Sequence, residues 1–287
     1  MDATGNEPDE VTQAAVEAVS EAAELAGKPE PQPPIAPRHR IRGLVSRVLA
    51  RRDRRARAEA GIGAGLQRLS AAIRTAARRG TLVTGRGVSV GGRWLSAQVL
   101  AMAPRLPVRD AATLRAQFPG RSPDELAEAL IEGASKASGA VGVAVGAWAV
   151  LPFLPAAGVE ITAETLAVVG IEIKLVAELH EVYGQAAPGG GVDRMTSYVG
   201  AWAHRRGVAL APGGLVLAAG SPLARQLQRR LAARAGRSVF SLGPLLTGAA
   251  AGGVINRRET RKLGRAVSDD LRKRSPSGSR WPDDDSG

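Results

Sequence analysis

The chain of 287 residues has no cysteine, only three histidines, and aromatic side chains at only 3% of its positions. The absence of cysteine excludes disulfides, thiol catalysis and thiolate metal sites, and it permits a reducing compartment. The three histidines are far apart and lack the HExxH spacing, so they offer little to a metal ion. The sequence therefore predicts neither a metal ion nor another cofactor.

The N-terminus lacks the apolar segment of a secretory signal. Instead, residues 1–30 carry eight acidic residues and one lysine, a net charge of −7. Residues 38–80 follow with thirteen arginines and two acidic residues, a net charge of +11. An acidic segment beside a basic one favours intramolecular masking or an anionic partner. We expect a protein that is not secreted and that faces the cytoplasm.

Charged residues are missing from three long runs, 137–159, 207–224 and 238–256. A membrane-spanning helix needs roughly 20 consecutive apolar residues. Each run is interrupted near its centre, by Pro152 and Pro155, by Pro212-Gly213-Gly214, or by Gly243-Pro244. Because proline removes a backbone donor and clashes with the preceding turn, each run is expected to form two short helices. Such helical hairpins would either dip into a membrane or form the core of a soluble domain.

Helical periodicity in the remaining sequence predicts the fold class. We expect an all-α, multi-helix domain with proline- and glycine-broken apolar helical hairpins and disordered termini. The predicted parts are a disordered acidic tail and proline-rich linker at 1–37, a basic amphipathic helical region at 38–92, an α-helical domain at 93–274 and a disordered tail at 275–287.

Local signals predict several helix ends. The segment Ser122-Pro123-Asp124-Glu125 has the spacing of a capping box, which predicts a helix from here to about Ser135. Asp110 is a predicted N-cap, and Gly184 is the predicted end of a long helix.

Pairs of glycines four residues apart occur in two of the uncharged runs, as Gly142 with Gly146 and as Gly248 with Gly252. Such pairs flatten a helix face and allow two backbones to approach closely. They are compatible with helix packing in a membrane and with helix packing in a soluble core.

Basic side chains beside the uncharged runs favour a membrane surface. The segment 38–60 surrounds an aliphatic stripe with arginines, as in helices that lie on lipid. Trp202 stands one turn from Tyr198 and precedes two arginines, an arrangement typical of the headgroup zone. The residues predicted to contact anionic lipid are Arg47, Arg51, Arg52, Arg54, Arg55, Trp202, Arg205 and Arg206. We predict a non-catalytic protein on the cytoplasmic face of the cell membrane, and a protein partner there is compatible with this interpretation.

The long helix in the middle of the chain carries ionisable residues among aliphatic ones. On a helical wheel, Glu172 and His180 fall within the aliphatic arc. Glu172 is therefore expected to meet an arginine or a backbone donor, or to carry a proton. Lys174, Glu178 and Glu181 form a separate stripe with i,i+4 and i,i+3 spacing, which predicts a solvated face with a modest ion pair.

The sequence is also compatible with two other functions. Glu172 and His180 are candidate acid and base groups of an enzyme that acts on a lipid-like substrate. The segment 39–79 has the charge to contact nucleic-acid phosphates, but it contains no aromatic residue for base stacking.

Four segments resemble the EcsC-like protein family of bacteria, and especially its actinobacterial members. They are 123–142 (PDELAEALIEGASKASGAVG), 151–155 (LPFLP), 164–184 (ETLAVVGIEIKLVAELHEVYG) and 243–266 (GPLLTGAAAGGVINRRETRKLGRA). The resemblance covers about residues 95–270. It implies an EcsC-like, α-helical and membrane-associated domain at 93–274, and it carries no catalytic residue over to this chain.

Overall fold

The computed structural model describes residues 7–27, 64–72, 75, 96–148, 157–211, 214–217 and 245–275. Their regular structure is helical apart from one short hairpin, so the predicted all-α fold is confirmed. The helices are α1 (Glu7–Gly27), α2 (64–72), α3 (96–102), α4 (Ala111–Gln117), α5 (Pro123–Trp148), α6 (Ala157–Val182), α7 (Gly191–Arg206) and α8 (Leu245–Arg274), with a 3-10 turn at Ala103–Arg105. The hairpin pairs β1 (Val208–Ala211) with β2 (Gly214–Leu217) in antiparallel register.

The centre of the fold is a unit of three helices, α5, α6 and α8. α5 packs extensively on α8, and α6 packs against both of them. α6 also contacts α1, α4 and α7, so neighbours surround it. As a result, every residue from 163 to 179 is buried except Val168, which is partly exposed. This all-round burial decides the environment of each charged residue on α6.

Three of the predicted helix ends are confirmed: the starts at Asp110 and Ser122 and the end at Gly184. The Ser122 hydroxyl accepts from the Glu125 backbone N–H at 3.3 Å, and the Glu125 carboxylate accepts from the Ser122 backbone N–H at 2.9 Å. This reciprocal pair satisfies two otherwise unpaired donors at the start of α5. The Asp110 carboxylate caps α4 through a 2.7 Å bond from a backbone N–H. Gly184 has a φ of 64°, the left-handed conformation that ends a helix.

Two of the uncharged runs enter long helices. The first run divides between α5 and α6, and Pro152 and Pro155 fall between these helices, outside the described residues. The predicted end of α5 near Ser135 was wrong, because no proline interrupts the helix before Trp148. The third run enters α8 at Leu245 and continues unbroken to the charged C-terminal half, so this part does not form two short helices.

The second uncharged run does not form helices in its described part, which corrects the predicted helical hairpin. Val208–Ala211 and Gly214–Leu217 are paired strands. The sequence between them is Pro212-Gly213, a dipeptide typical of turns, which favours reversal of the chain over a helix. The remainder of this run, from residue 218, lies outside the described residues.

The predicted disorder of 1–37 was wrong for residues 7–27, which form α1. The buried stripe of α1 consists of Val11, Ala14, Ala15, Ala18, Val19 and Ala22. The spacing of these small residues buries one face against α5 and α6 while the acidic residues occupy other positions. The linker at 28–37, most of the basic region at 38–92 and the tail beyond Ser275 lie outside the described residues.

Candidate functional site

Glu172 lies at the centre of a buried hydrogen-bond network that joins α6, α7 and α8. Its carboxylate accepts from Arg206 through Nε at 3.0 Å and also through Nη2. Trp202 Nε1 and the Thr260 hydroxyl each donate to it at 2.9 Å. Glu172 is only 2% exposed, so these donors replace the water that it loses on folding. Of the alternatives predicted for Glu172, contact with an arginine is confirmed.

The same network corrects part of the predicted lipid surface. Trp202 and Arg206 are buried, so neither presents its polar group to a lipid headgroup. Burial alone would lower the pKa of Arg206, but the charges and hydrogen bonds of Glu172 and Glu259 raise it. Arg205 does lie at the surface, where it pairs with Asp270 at 2.7 Å. The other predicted lipid contacts, Arg47, Arg51, Arg52, Arg54 and Arg55, lie outside the described residues.

His180 is half-buried and lies apart from Glu172. Its Nδ1 is 2.7 Å from the Val176 carbonyl oxygen, and its ring centroid is 5.1 Å from that of Tyr198. Burial lowers the pKa of His180 below its usual 6.5, although the Val176 carbonyl opposes this effect. Eight residues of helix separate His180 from Glu172, a rise of about 12 Å along α6. The structure therefore does not bring together the proposed acid and base pair.

Glu178 is the centre of a second buried ion cluster, which we call the Glu178 centre. Arg109 binds both of its oxygens, with Nε to Oε1 and Nη2 to Oε2 at 2.8 Å each. Lys174 Nζ donates to Oε1 of the same carboxylate and to the Pro107 carbonyl oxygen. Arg109 Nη1 donates to Gln117 at 2.8 Å.

Opposing effects set the protonation of the Glu178 centre. Burial alone would raise the pKa of Glu178, but the hydrogen bond from Arg109 and the charges of Lys174 and Arg109 lower it below 4.5. Burial lowers the pKa of Lys174, and the charge of Glu178 opposes that change. Glu178 is therefore ionised at neutral pH.

The Glu178 centre corrects the predicted solvated stripe on α6. Lys174 is 7% exposed and Glu178 is 2% exposed. This face of α6 is not solvated because the segment 107–109 covers it, and Arg109 comes from outside the helix. Glu181, the third member, is half-buried and lies 3.6 Å from Arg194 of α7. Arg109 directly precedes the predicted N-cap Asp110 in the sequence. That position draws attention to Arg109 but does not identify Glu178 as its partner.

α5 and α8 run antiparallel, and ion pairs line their charged halves. The pairs are Asp124 with Arg272 at 3.4 Å, Glu128 with Arg265 at 2.9 Å, and Glu132 with Arg257 at 2.7 Å and with Arg261. Residue numbers rise along one helix as they fall along the other. The charged half of α5 therefore lies beside the charged half of α8.

The uncharged halves of α5 and α8 also lie side by side. A Cβ atom at Gly142 would lie 2.9 Å from the carbonyl oxygen of Gly252, and one at Gly253 would lie 2.8 Å from that of Gly139. Glycine is thus required for the two backbones to approach this closely. The predicted close packing at Gly142 and Gly252 occurs between the first and third uncharged runs.

These halves form what we call the apolar end, residues 137–148 of α5 and 245–256 of α8, which contain no charged side chain. Large aliphatic side chains are exposed there: Val143 is 46%, Val254 is 65% and Ile255 is 44% exposed. Asn256, at the inner limit of this end, is buried and donates to Glu164 at 2.8 Å. The apolar end thus presents aliphatic groups to its surroundings.

In the part of the chain that the structure describes, no helix is long and apolar enough to cross a membrane. The same residues contain no cluster of histidine and carboxylate side chains suited to a metal ion. Comparisons with protein-family models, with curated proteins and with solved structures gave no match to this chain.

Proposed function

We propose that this protein binds the cytoplasmic face of an anionic membrane, without catalysis, by inserting its apolar end into one leaflet. The observation that carries this proposal is the coincidence of two uncharged helix halves at one end of an otherwise charged helix pair. Exposed aliphatic side chains lose their contact with water when they enter lipid, which favours insertion.

The length of the apolar end supports a shallow insertion. Each half contains twelve residues, which span about 18 Å as a helix. The hydrocarbon core of a bilayer is about 30 Å thick, so the apolar end reaches about half-way through it.

The charges next to the apolar end support an anionic surface. We call these residues the basic collar: Lys136, Arg257, Arg258, Arg261 and Lys262. Lys136 and Arg257 keep 63% and 47% of their side chains exposed, although both lie near Glu132. With the apolar end in the hydrocarbon, the collar would lie at headgroup level. Each base close to an anionic surface contributes about 1 kcal/mol.

Two features of the sequence add to the proposal. The arginines of 38–60 would strengthen attraction to anionic lipid, and the acidic residues of 1–30 would compete for them when lipid is absent. We also propose that the chain is an EcsC-like protein. Three of the resembling segments, 123–142, 164–184 and 243–266, contribute to α5, α6 and α8, the helices at the centre of the fold.

Vesicle flotation tests the apolar end. The double variant Val254→Asp/Ile255→Asp places two charges in the region proposed to insert, and we expect at least about a tenfold loss of binding to anionic vesicles. Val192→Asp is the matched control, because Val192 is 63% exposed but lies at the start of α7. Binding of the control should match that of the wild type. Equal binding of all three proteins would contradict the proposed insertion.

A second comparison separates charge from insertion. Replacing Arg51, Arg52, Arg54 and Arg55 with glutamate should abolish binding to anionic vesicles, because the initial attraction is lost. Once bound, the wild-type protein should resist a high-salt wash and require detergent for release. Release by salt alone would indicate a peripheral protein held by charge. Salt-sensitive binding to DNA or RNA without vesicle binding would instead favour the nucleic-acid alternative.

A further inference from the structure

A small cavity lies beside the Glu178 centre, between α5 and α6. Its volume is about 30 Å³, and its polar lining is formed by Arg109, Lys174 and Glu178. The apolar lining includes Leu130, Ala134 and Ile171. This volume holds about two water molecules, which is too small for an organic substrate.

The charges around this cavity do not balance. Arg109 and Lys174 both pair with Glu178, so two cations share one carboxylate. Among the described residues, no second carboxylate forms an ion pair with either cation. The side chains of Lys174 and Arg109 are only 9% and 18% exposed, so water screens the excess positive charge poorly. An uncompensated charge in such a place is costly.

We propose that this cavity binds a small monovalent anion of chloride size. The anion would balance the second cation. The other groups that line the cavity are aliphatic side chains and the Glu178 carboxylate, whose charge Arg109 offsets through two hydrogen bonds. Lys174 has three N–H groups, and Glu178 and the Pro107 carbonyl use two of them. The third is the available donor to the anion. This site goes beyond membrane binding and does not depend on it.

Thermal unfolding of the full chain tests the anion site. The melting temperature is measured as chloride replaces gluconate at constant ionic strength and neutral pH. Chloride should raise the wild-type melting temperature by about 3 °C or more, and the effect should saturate, as for binding to the folded state. Lys174→Met should abolish the effect. Lys136→Met is the matched control, because it removes an exposed lysine with 63% of its side chain accessible, and it should respond as the wild type does.

Chloride NMR on the wild-type protein gives an answer that does not require a folded variant. Exchange with a protein site broadens the chloride resonance, and an excess of bromide should reverse the broadening. Equal melting temperatures in chloride and gluconate, together with an unbroadened resonance, would overturn the proposal. An identical chloride effect in Lys174→Met would overturn it as well.

Discussion

Glu172 and Glu178 lie six residues apart on α6, and both are buried, yet their partners differ in kind. Glu172 is bound by one arginine, an indole N–H and a hydroxyl. Glu178 is bound by an arginine and a lysine, whose charges together exceed its own. At the first centre one buried cation and two neutral donors bind the carboxylate, and the same arginine also contacts the partly exposed Glu259, whereas the second centre has two cations on one carboxylate beside a cavity. Two equally buried carboxylates therefore differ in their electrostatic environment, because the number and charge of the groups that bind them differ.

The largest effect is expected for Glu178→Gln. This change leaves Arg109 and Lys174 buried without the carboxylate between them, and we expect a loss of about 5 kcal/mol in the free energy of unfolding at neutral pH. Because the folded pKa of Glu178 is lowered below 4.5, its stabilisation is present above that pH and is lost as pH falls through the folded pKa. Urea unfolding at several pH values should show the two proteins converging in acid. A constant difference would contradict this account.

Arg206→Met should have the next largest effect, about 3 kcal/mol, because Glu172 loses its cation but keeps Trp202 and Thr260 as donors. Arg205→Met is the matched control at the neighbouring position. Arg205 and Asp270 are both about one-third exposed, so the control should cost less than about 1 kcal/mol. Similar losses in the two variants, measured by urea unfolding, would show that burial of the Glu172 network is energetically unimportant.

Lys174→Met should have a smaller effect on stability, about 1 kcal/mol in low chloride. The variant loses hydrogen bonds to Glu178 and to the Pro107 carbonyl, but Glu178 keeps the paired bonds from Arg109. Its urea unfolding is compared with that of Arg206→Met under the same conditions. A larger loss in the free energy of unfolding for Lys174→Met than for Arg206→Met would contradict the difference drawn between the two centres.

His180→Asn should show the smallest effect, and only below neutral pH. The folded pKa of His180 is lowered from 6.5, so its unfolded form binds more protons and stability falls as pH drops from 6.5 through the folded pKa. The charges facing it are Asp270, Arg274 and Arg205, and they partly cancel. Between pH 7.5 and 5.5, urea unfolding should show the wild type losing less than about 1 kcal/mol relative to the variant. If the free energy of unfolding depended on pH equally in the wild type and in His180→Asn, the titrating group would not be His180.

Much of the helical framework follows from local sequence. The capping box at Ser122 and Glu125, the N-cap at Asp110 and the terminal Gly184 are each satisfied within a few residues, so their positions can be predicted without tertiary contacts. The buried state of Glu172 also follows from its aliphatic neighbours on the helical wheel.

The prediction failed where the environment comes from distant residues. Lys174 and Glu178 have a spacing typical of a solvated face, but the segment that contains Arg109 covers them. Trp202 and Arg206 resemble a headgroup anchor, but both are buried against α6, where they bind Glu172. A helical wheel shows which residues share a face and cannot show what packs on that face.

The sequence by itself determined the all-α fold, the main helix ends and the placement of uncharged runs, because capping, proline breaks and periodicity are local properties. The tertiary structure decided that the uncharged halves of α5 and α8 meet at one end, and that two cations share Glu178. Both results depend on contacts between residues that are far apart in the sequence. Arg109 and Glu178 are separated by 69 positions, and Asp124 and Arg272, which pair between the antiparallel helices α5 and α8, are separated by 148. Long-range contacts of this kind are set by how the core is filled, which no local pattern encodes.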